Sequence, residues 1–270
     1  MLYFPTMIRK LHLSLFFVLL GTAAFSKDKI IVTDAGIPKE KREAILLLNG
    51  FGSLYHSDKN QIKALGHQGF DLLIPDYISR QSIAGCVENL QEFYANNHLS
   101  QYKAIHVFAY IVGSWTVNQW IPQYHPQNIA SIVYDRSALQ ERVPQILDHD
   151  NPHLSGMFFG KIMHDLAEMQ YPVLANPSCN TGLIIECKAS HILFKKKSSF
   201  DALPPIHHEI DGFHQPTPHY AYYFQSHDDL YTQLDQISED ILHFFREGKF
   251  PPTVSQSPCS LDPFGPYYKP

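Results

Sequence analysis

From Glu43 onward, apolar runs of strand length alternate with longer stretches in which apolar residues recur every three or four positions. Strands joined by crossover helices into a largely parallel sheet produce that alternation. Ala44 to Leu48 is a continuous apolar run ending in Asn49-Gly50-Phe51-Gly52, which predicts a buried strand entering a tight loop. A helix is predicted from Asp58 to Gly66, a strand from Phe70 to Pro75, and a helix from Ser82 to His98 with Ile83, Val87, Leu90 and Tyr94 on one face. Ala104 to Ala109 is the next strand, Gly113 to Tyr124 the helix after it, and Ile129 to Tyr134 a further strand ending at Asp135-Arg136-Ser137. Residues 138–172 break the rhythm: they are helical in pattern, supply no strand, and predict a cap inserted over one end of the sheet, with Met157, Phe158, Phe159 and Met163 as an apolar ceiling. Thr181 to Glu186 and Pro205 to Ile210 complete the predicted strands, and Leu230 to Phe245 is a closing helix. The proline-rich tail, 251–270, predicts irregular chain, and no internal repeat is visible.

The first 26 residues stand apart. Arg9 and Lys10 precede an apolar stretch from Leu11 to Phe25, with small residues at Ala24 and Ser26, the layout of a secretory leader cut near Ser26. The expected arrangement is therefore a leader over 1–26, one α/β domain over 27–250 and a tail over 251–270, with an exported mature protein, periplasmic or secreted. Membrane association would come only through an uncleaved leader.

Composition narrows the function classes. With 44% hydrophobic and 17% charged residues and a formal net charge of −5, the chain can build a large core and offers no basic surface for nucleic acid. Four cysteines in an exported chain admit disulfides, and Cys179 and Cys187, separated by an Asn180-Thr181-Gly182 turn signal, are the first-choice pair. The 16 histidines are either scattered over the surface or gathered at a site.

The order strand, glycine loop, two strand–helix units, then a strand entering a small-residue turn and a helix resembles the α/β-hydrolase fold, over nearly all of the mature chain. Asn49, Gly50 and Phe51 resemble the loop that helps build that family's oxyanion hole. Ala109-Tyr110-Ile111-Val112-Gly113 lies where its G-x-S-x-G nucleophile elbow belongs. His227-Asp228-Asp229 resembles the segment carrying the catalytic histidine. The resemblance implies a mostly parallel sheet flanked by helices with a helical cap, and a site at one end of the sheet.

Isoleucine at the nucleophile position departs from the family, because an alkyl side chain cannot attack a carbonyl and a β-branched residue is costly in the elbow's positive-φ conformation. Three replacements come into view: Ser114, one helical turn onward; Tyr110, as acid or nucleophile beside the turn; or a shifted register. Asp135 stands where some family members carry the triad acid, or else forms an ion pair with Arg136. His227 and His214 compete for the histidine. The backbone amides of Phe51 and Val112 keep an affinity for negative charge whatever their side chains.

The leading expectation is thus an exported pseudo-hydrolase that lacks the standard nucleophile, binds a small apolar or acyl-type ligand or runs a non-serine reaction, and needs no cofactor. An esterase or lipase-type hydrolase using Ser114 is one rival. The other is a histidine-rich metal protein of the cell envelope built on His207, His208, His214, His219 and His227-Asp228-Asp229, although none of these spacings is a metal signature.

Overall fold

Seven strands form a single sheet in the order β1-β3-β2-β4-β5-β6-β7, parallel throughout except for β1 at one edge. They are β1 (Lys29–Ile31), β2 (Glu43–Leu48), β3 (Asp71–Ile74), β4 (Ala104–Ala109), β5 (Ile129–Arg136), β6 (Asn180–Lys188) and β7 (His219–Ser226). The computed structural model describes residues 28–51, 55–150, 152–175, 177–204, 213, 215–257 and 262–265. The predicted leader over 1–26 lies outside them, as do the predicted strand at Pro205–Ile210 and His214, His207 and His208.

The continuous apolar runs predicted as strands occupy the middle of the sheet, where helices cover both faces. Residues 44–48 of β2 and 105–109 of β4 are all buried. On one face lie α2 (Ile83–Asn96) and α3 (Ile111–Tyr124), whose Val87, Leu90, Trp115 and Trp120 share a cluster with Leu46, Val107 and Ile132. On the other, α1 (Tyr55–Leu65) and α10 (Ser238–Glu247) close over Ile45, Phe108, Val133 and Ile184. Crossover helices on both faces are what parallel strands require.

Two expectations need correction. The edge strand before the closing helix region is β7, which is not among the predicted strands: its run Tyr220–Phe224 is continuous but mostly tyrosine, and Phe224 is exposed. The predicted helix from Leu230 to Phe245 is broken into α9 (His227–Thr232), a tight turn at Leu234–Gln236, and α10. The break lets Leu234 and Ile237 both reach the core with Leu230 and Ile241.

Residues 138–172 form a cap of three helices, α4 (Val143–Asp150), α5 (Pro152–Phe159) and α6 (Ile162–Glu168). Its underside is apolar as expected at Met163, which is buried, but Met157 is 60% exposed and faces away. Gly160 fits the cap to the loop after β3: its φ is +84°, and a Cβ there would lie 2.1 Å from the Arg80 carbonyl oxygen. Cys86 and Cys179 are both free thiols, so the Cys179–Cys187 disulfide is not formed; burial pushes each thiol up to about 11. Three histidines, His67, His98 and His125, take left-handed backbone conformations near helix ends, which accounts for part of the histidine content without any ligand.

Candidate active site

Strand periodicity decides which side chains meet at the C-terminal end of the sheet. Along β5, Val133 and Asp135 point to one face while Tyr134 and Arg136 point to the other; along β6, Ile184 and Glu186 share the first face. Asp135 and Arg136 are therefore neighbours in sequence on opposite sides of the sheet, and the ion pair between them is not made.

On the first face, Asp135 and Glu186 are both fully buried beside His227, the first residue of α9. His227 Nδ1 lies 3.0 Å from Glu186 Oε1. The histidine is fixed locally: Ser226 caps α9 by accepting from the Asp229 amide, and the Asp229 carboxylate accepts from the Ser226 amide in return. Lys188 pairs with Asp229 at 3.2 Å, and Asp228 accepts from the His191 amide. Asp229 is thus occupied in holding the start of α9 and Asp228 in bonding His191; His219, in β7, packs edge-on against Phe244.

Burial drives the charges of this cluster in a consistent direction. It pushes the Asp135 carboxyl well above its ordinary value, and the Glu186 charge adds to the push. Glu186 is raised for the same first reason, and His227 is lowered by burial against the attraction of Asp135. Among the described residues the Asp135 carboxyl has no N–H or alcohol donor and faces the Glu186 carboxyl, so the environment of the pair favours the protonated form. Tyr110 lies on this face too, its ring edge-on to His227 with centroids 6.0 Å apart.

Glu186 is the residue that sequence reasoning missed. The strand was expected to end at Glu186 with no aspartate beyond; it runs on to Lys188, which places the glutamate inside the ladder and next to the histidine. A carboxylate in an otherwise apolar strand was the available signal.

The nucleophile position is different in kind. Tyr110 precedes α3 with φ −67°, Ile111 is its first residue, and neither takes a positive φ, so the strained elbow has relaxed into an ordinary helix start. The elbow's glycine keeps its packing reason, since a Cβ at Gly113 would come within 2.5 Å of the Leu48 carbonyl oxygen. Ile111 is 8% exposed and shares an apolar cluster with Ile162, Met163 and Leu166 of the cap. Ser114 is fully buried, and its hydroxyl donates to the Ile111 carbonyl at 2.6 Å. Helix α3 gains no side-chain cap from Tyr110, and its first intrahelical bond is Ser114 amide to Tyr110 carbonyl; the amides of Ile111, Val112 and Gly113 have no acceptor among the described residues.

In the glycine loop, the Asn49 side chain exchanges two hydrogen bonds with Gln61, at 2.7 and 3.1 Å, so it serves the loop and not a ligand. The Asn49 carbonyl accepts from Tyr77, Gly50 is buried, and Phe51 meets cap residue Phe159 edge-to-face at 5.9 Å.

On the cap side, Arg136 is buried under Tyr171, its guanidinium carbon 3.7 Å from the ring centroid. It forks onto Glu141 at 2.5 and 2.8 Å and donates to the Phe213 carbonyl at 2.6 Å. Asn118 continues this polar layer, its Nδ2 within 3.0 Å of the Tyr171 hydroxyl, the Pro172 carbonyl and Gln215 Oε1 and its Oδ1 accepting from Tyr134.

The same arrangement of a mostly parallel sheet flanked by helices occurs in solved structures. The chain has the α/β-hydrolase fold. It superimposes on juvenile hormone epoxide hydrolase from the silkworm Bombyx mori with a TM-score of 0.51 at 11% identity, covering 82% of this chain and 73% of that one. A lipase-esterase related protein from Clostridium acetobutylicum gives 0.50 at 14% identity over 82% and 100% of the two chains. The α/β hydrolase MGS-MChE2, from a sediment metagenome of the Mar Chica lagoon in Morocco, gives 0.51 at 14% over 82% and 94%. The sequence matches no protein-family model and no curated protein. Identities this low establish the α/β-hydrolase fold and leave its chemistry to be argued from the side chains.

Proposed function

We propose that this chain is an exported pseudo-hydrolase: an α/β-hydrolase-fold protein that does not run serine hydrolysis and acts by binding a small apolar or acyl-type ligand. The observation that carries the reading is Ile111, an alkyl group at the nucleophile position, at an ordinary helix start and buried in the apolar core cluster that also holds cap residues. Ser114 offers no replacement, because its hydroxyl is buried and spent on the Ile111 carbonyl. The uncommitted amides at the start of α3 supply donors for a carboxylate or carbonyl, and the apolar underside of α6 suits an alkyl chain. Export is supported by the leader-like residues 1–26.

The test is a serine-reactive fluorophosphonate probe and a panel of p-nitrophenyl esters on the purified protein. Neither labelling nor turnover above a His227→Ala control is expected, while fatty acids raise the melting temperature. Labelling that disappears in Ser114→Ala would overturn the proposal in favour of an esterase. N-terminal sequencing of the exported protein checks cleavage near Ser26.

One observation favours a second reading, a reaction that uses His227 as base without a covalent intermediate. Its Nδ1 is oriented by Glu186 at 3.0 Å, an arrangement that orients an imidazole for proton transfer. Turnover of an ester or epoxide that survives Ser114→Ala and is lost in His227→Ala would select it.

A further inference from the structure

The cap carries a group of side chains that the reading above does not use. His164 and Glu168 stand four residues apart on α6 and therefore on one helix face, and Asp148 reaches them from α4. His164 Nδ1 lies 3.0 Å from Asp148 Oδ2, and one ligand atom from each of the three residues falls within 4.8 Å of the others. Two ligands of a tetrahedral zinc ion, each bonded at about 2.1 Å, stand roughly 3.4 Å apart. The Asp148–His164 pair already meets that spacing to within a few tenths of an ångström. Glu168 is exposed, so its carboxylate can close the remaining gap by changing rotamer.

We propose that Asp148, His164 and Glu168 bind a divalent transition metal ion, zinc by the donor set, with water completing the shell, and that the ion clips α4 to α6. One imidazole and two carboxylates are hard to borderline ligands that suit zinc better than calcium, which takes oxygen only. The clip has a structural consequence. The Gln145 side chain already reaches the Ala167 carbonyl between these helices, and α6 presents Ile162, Met163 and Leu166 to the cluster holding Ile111. An ion across α4 and α6 would therefore hold the cap's apolar underside in place. The site uses none of the histidines near the sheet end and is independent of the pseudo-hydrolase proposal.

The test is zinc titration of the full chain purified without a histidine tag, with a competing chromophoric chelator and a melting curve, on wild type, His164→Ala and Glu168→Gln. One equivalent is expected to bind wild type saturably and raise its melting temperature. His164→Ala should bind at least tenfold more weakly and lose the shift, and Glu168→Gln should weaken binding by a smaller factor while circular dichroism stays unchanged. Equal binding by all three proteins would place the ion on other histidines and overturn the site. Weak, non-saturating uptake would mark an adventitious ion only and overturn it as well. A shift that persists in His164→Ala would refute the clip.

Discussion

Replacing Ile111 by serine tests whether a missing hydroxyl is the whole reason for the lack of serine-hydrolase chemistry that we propose. The change removes three buried carbons from a residue only 8% exposed and puts a hydroxyl in their place. At about 0.8 kcal/mol for each buried CH₂, plus the cavity left in the core cluster, the cost is about 2 to 4 kcal/mol. A chain of this size loses roughly 2 to 4 °C per kcal/mol, so the melting temperature should fall by roughly 5 to 15 °C, measurable by differential scanning fluorimetry. Activity should not return. The helix starts at this residue without positive φ, so the hydroxyl would sit on a helical first turn facing the cap cluster, away from the face shared by His227 and Glu186. Fluorophosphonate labelling and p-nitrophenyl acetate turnover of Ile111→Ser should match wild type, with Ile111→Val as the packing control. Labelling at position 111 that depends on His227 would refute the reasoning, because it would mean that side-chain identity alone, and not the relaxed backbone, had silenced the site.

Three further outcomes follow from the geometry. Asp135 is raised by burial above its ordinary 3.8, so the folded state holds its proton more tightly than the unfolded state and stability falls as pH rises past that value; Asp135→Asn should stabilise the protein by about 1 to 3 kcal/mol at pH 7 and have no effect near pH 3, as urea denaturation at the two pH values will show. Arg136→Met breaks a buried fork onto Glu141 and a stack on Tyr171, and should cost about 3 kcal/mol and expose the cap to limited proteolysis within 138–172; a loss under about 1 kcal/mol would show that the cap is held by its apolar contacts alone. Cys86 and Cys179 are free thiols, so a thiol-reactive reagent on the denatured, unreduced protein should label both, as peptide mapping will show; an unlabelled Cys179 would show that it is bridged.

The amino-acid sequence was sufficient for the architecture, because the central strands bury both faces and so appear as unbroken apolar runs, and because amphipathic helices show their period within one segment. The helical character of 138–172 belongs to that level too, whereas Asp135 and His227 come into view only through the family resemblance, with an Arg136 ion pair and His214 as open alternatives. Tertiary structure decided what depends on neighbours distant in the chain. Glu186 becomes the histidine's partner only once β6 is paired two residues further than its apolar run suggests and Ser226 caps α9 beside it. Arg136 leaves Asp135 for Glu141 because a strand turns consecutive side chains to opposite faces. The burial of Ser114 depends on the packing of α3 against the sheet and α2, with Gly113 close to Leu48. Pattern along the chain fixes which face a residue shows; what it meets there is fixed by elements that arrive from elsewhere in the fold.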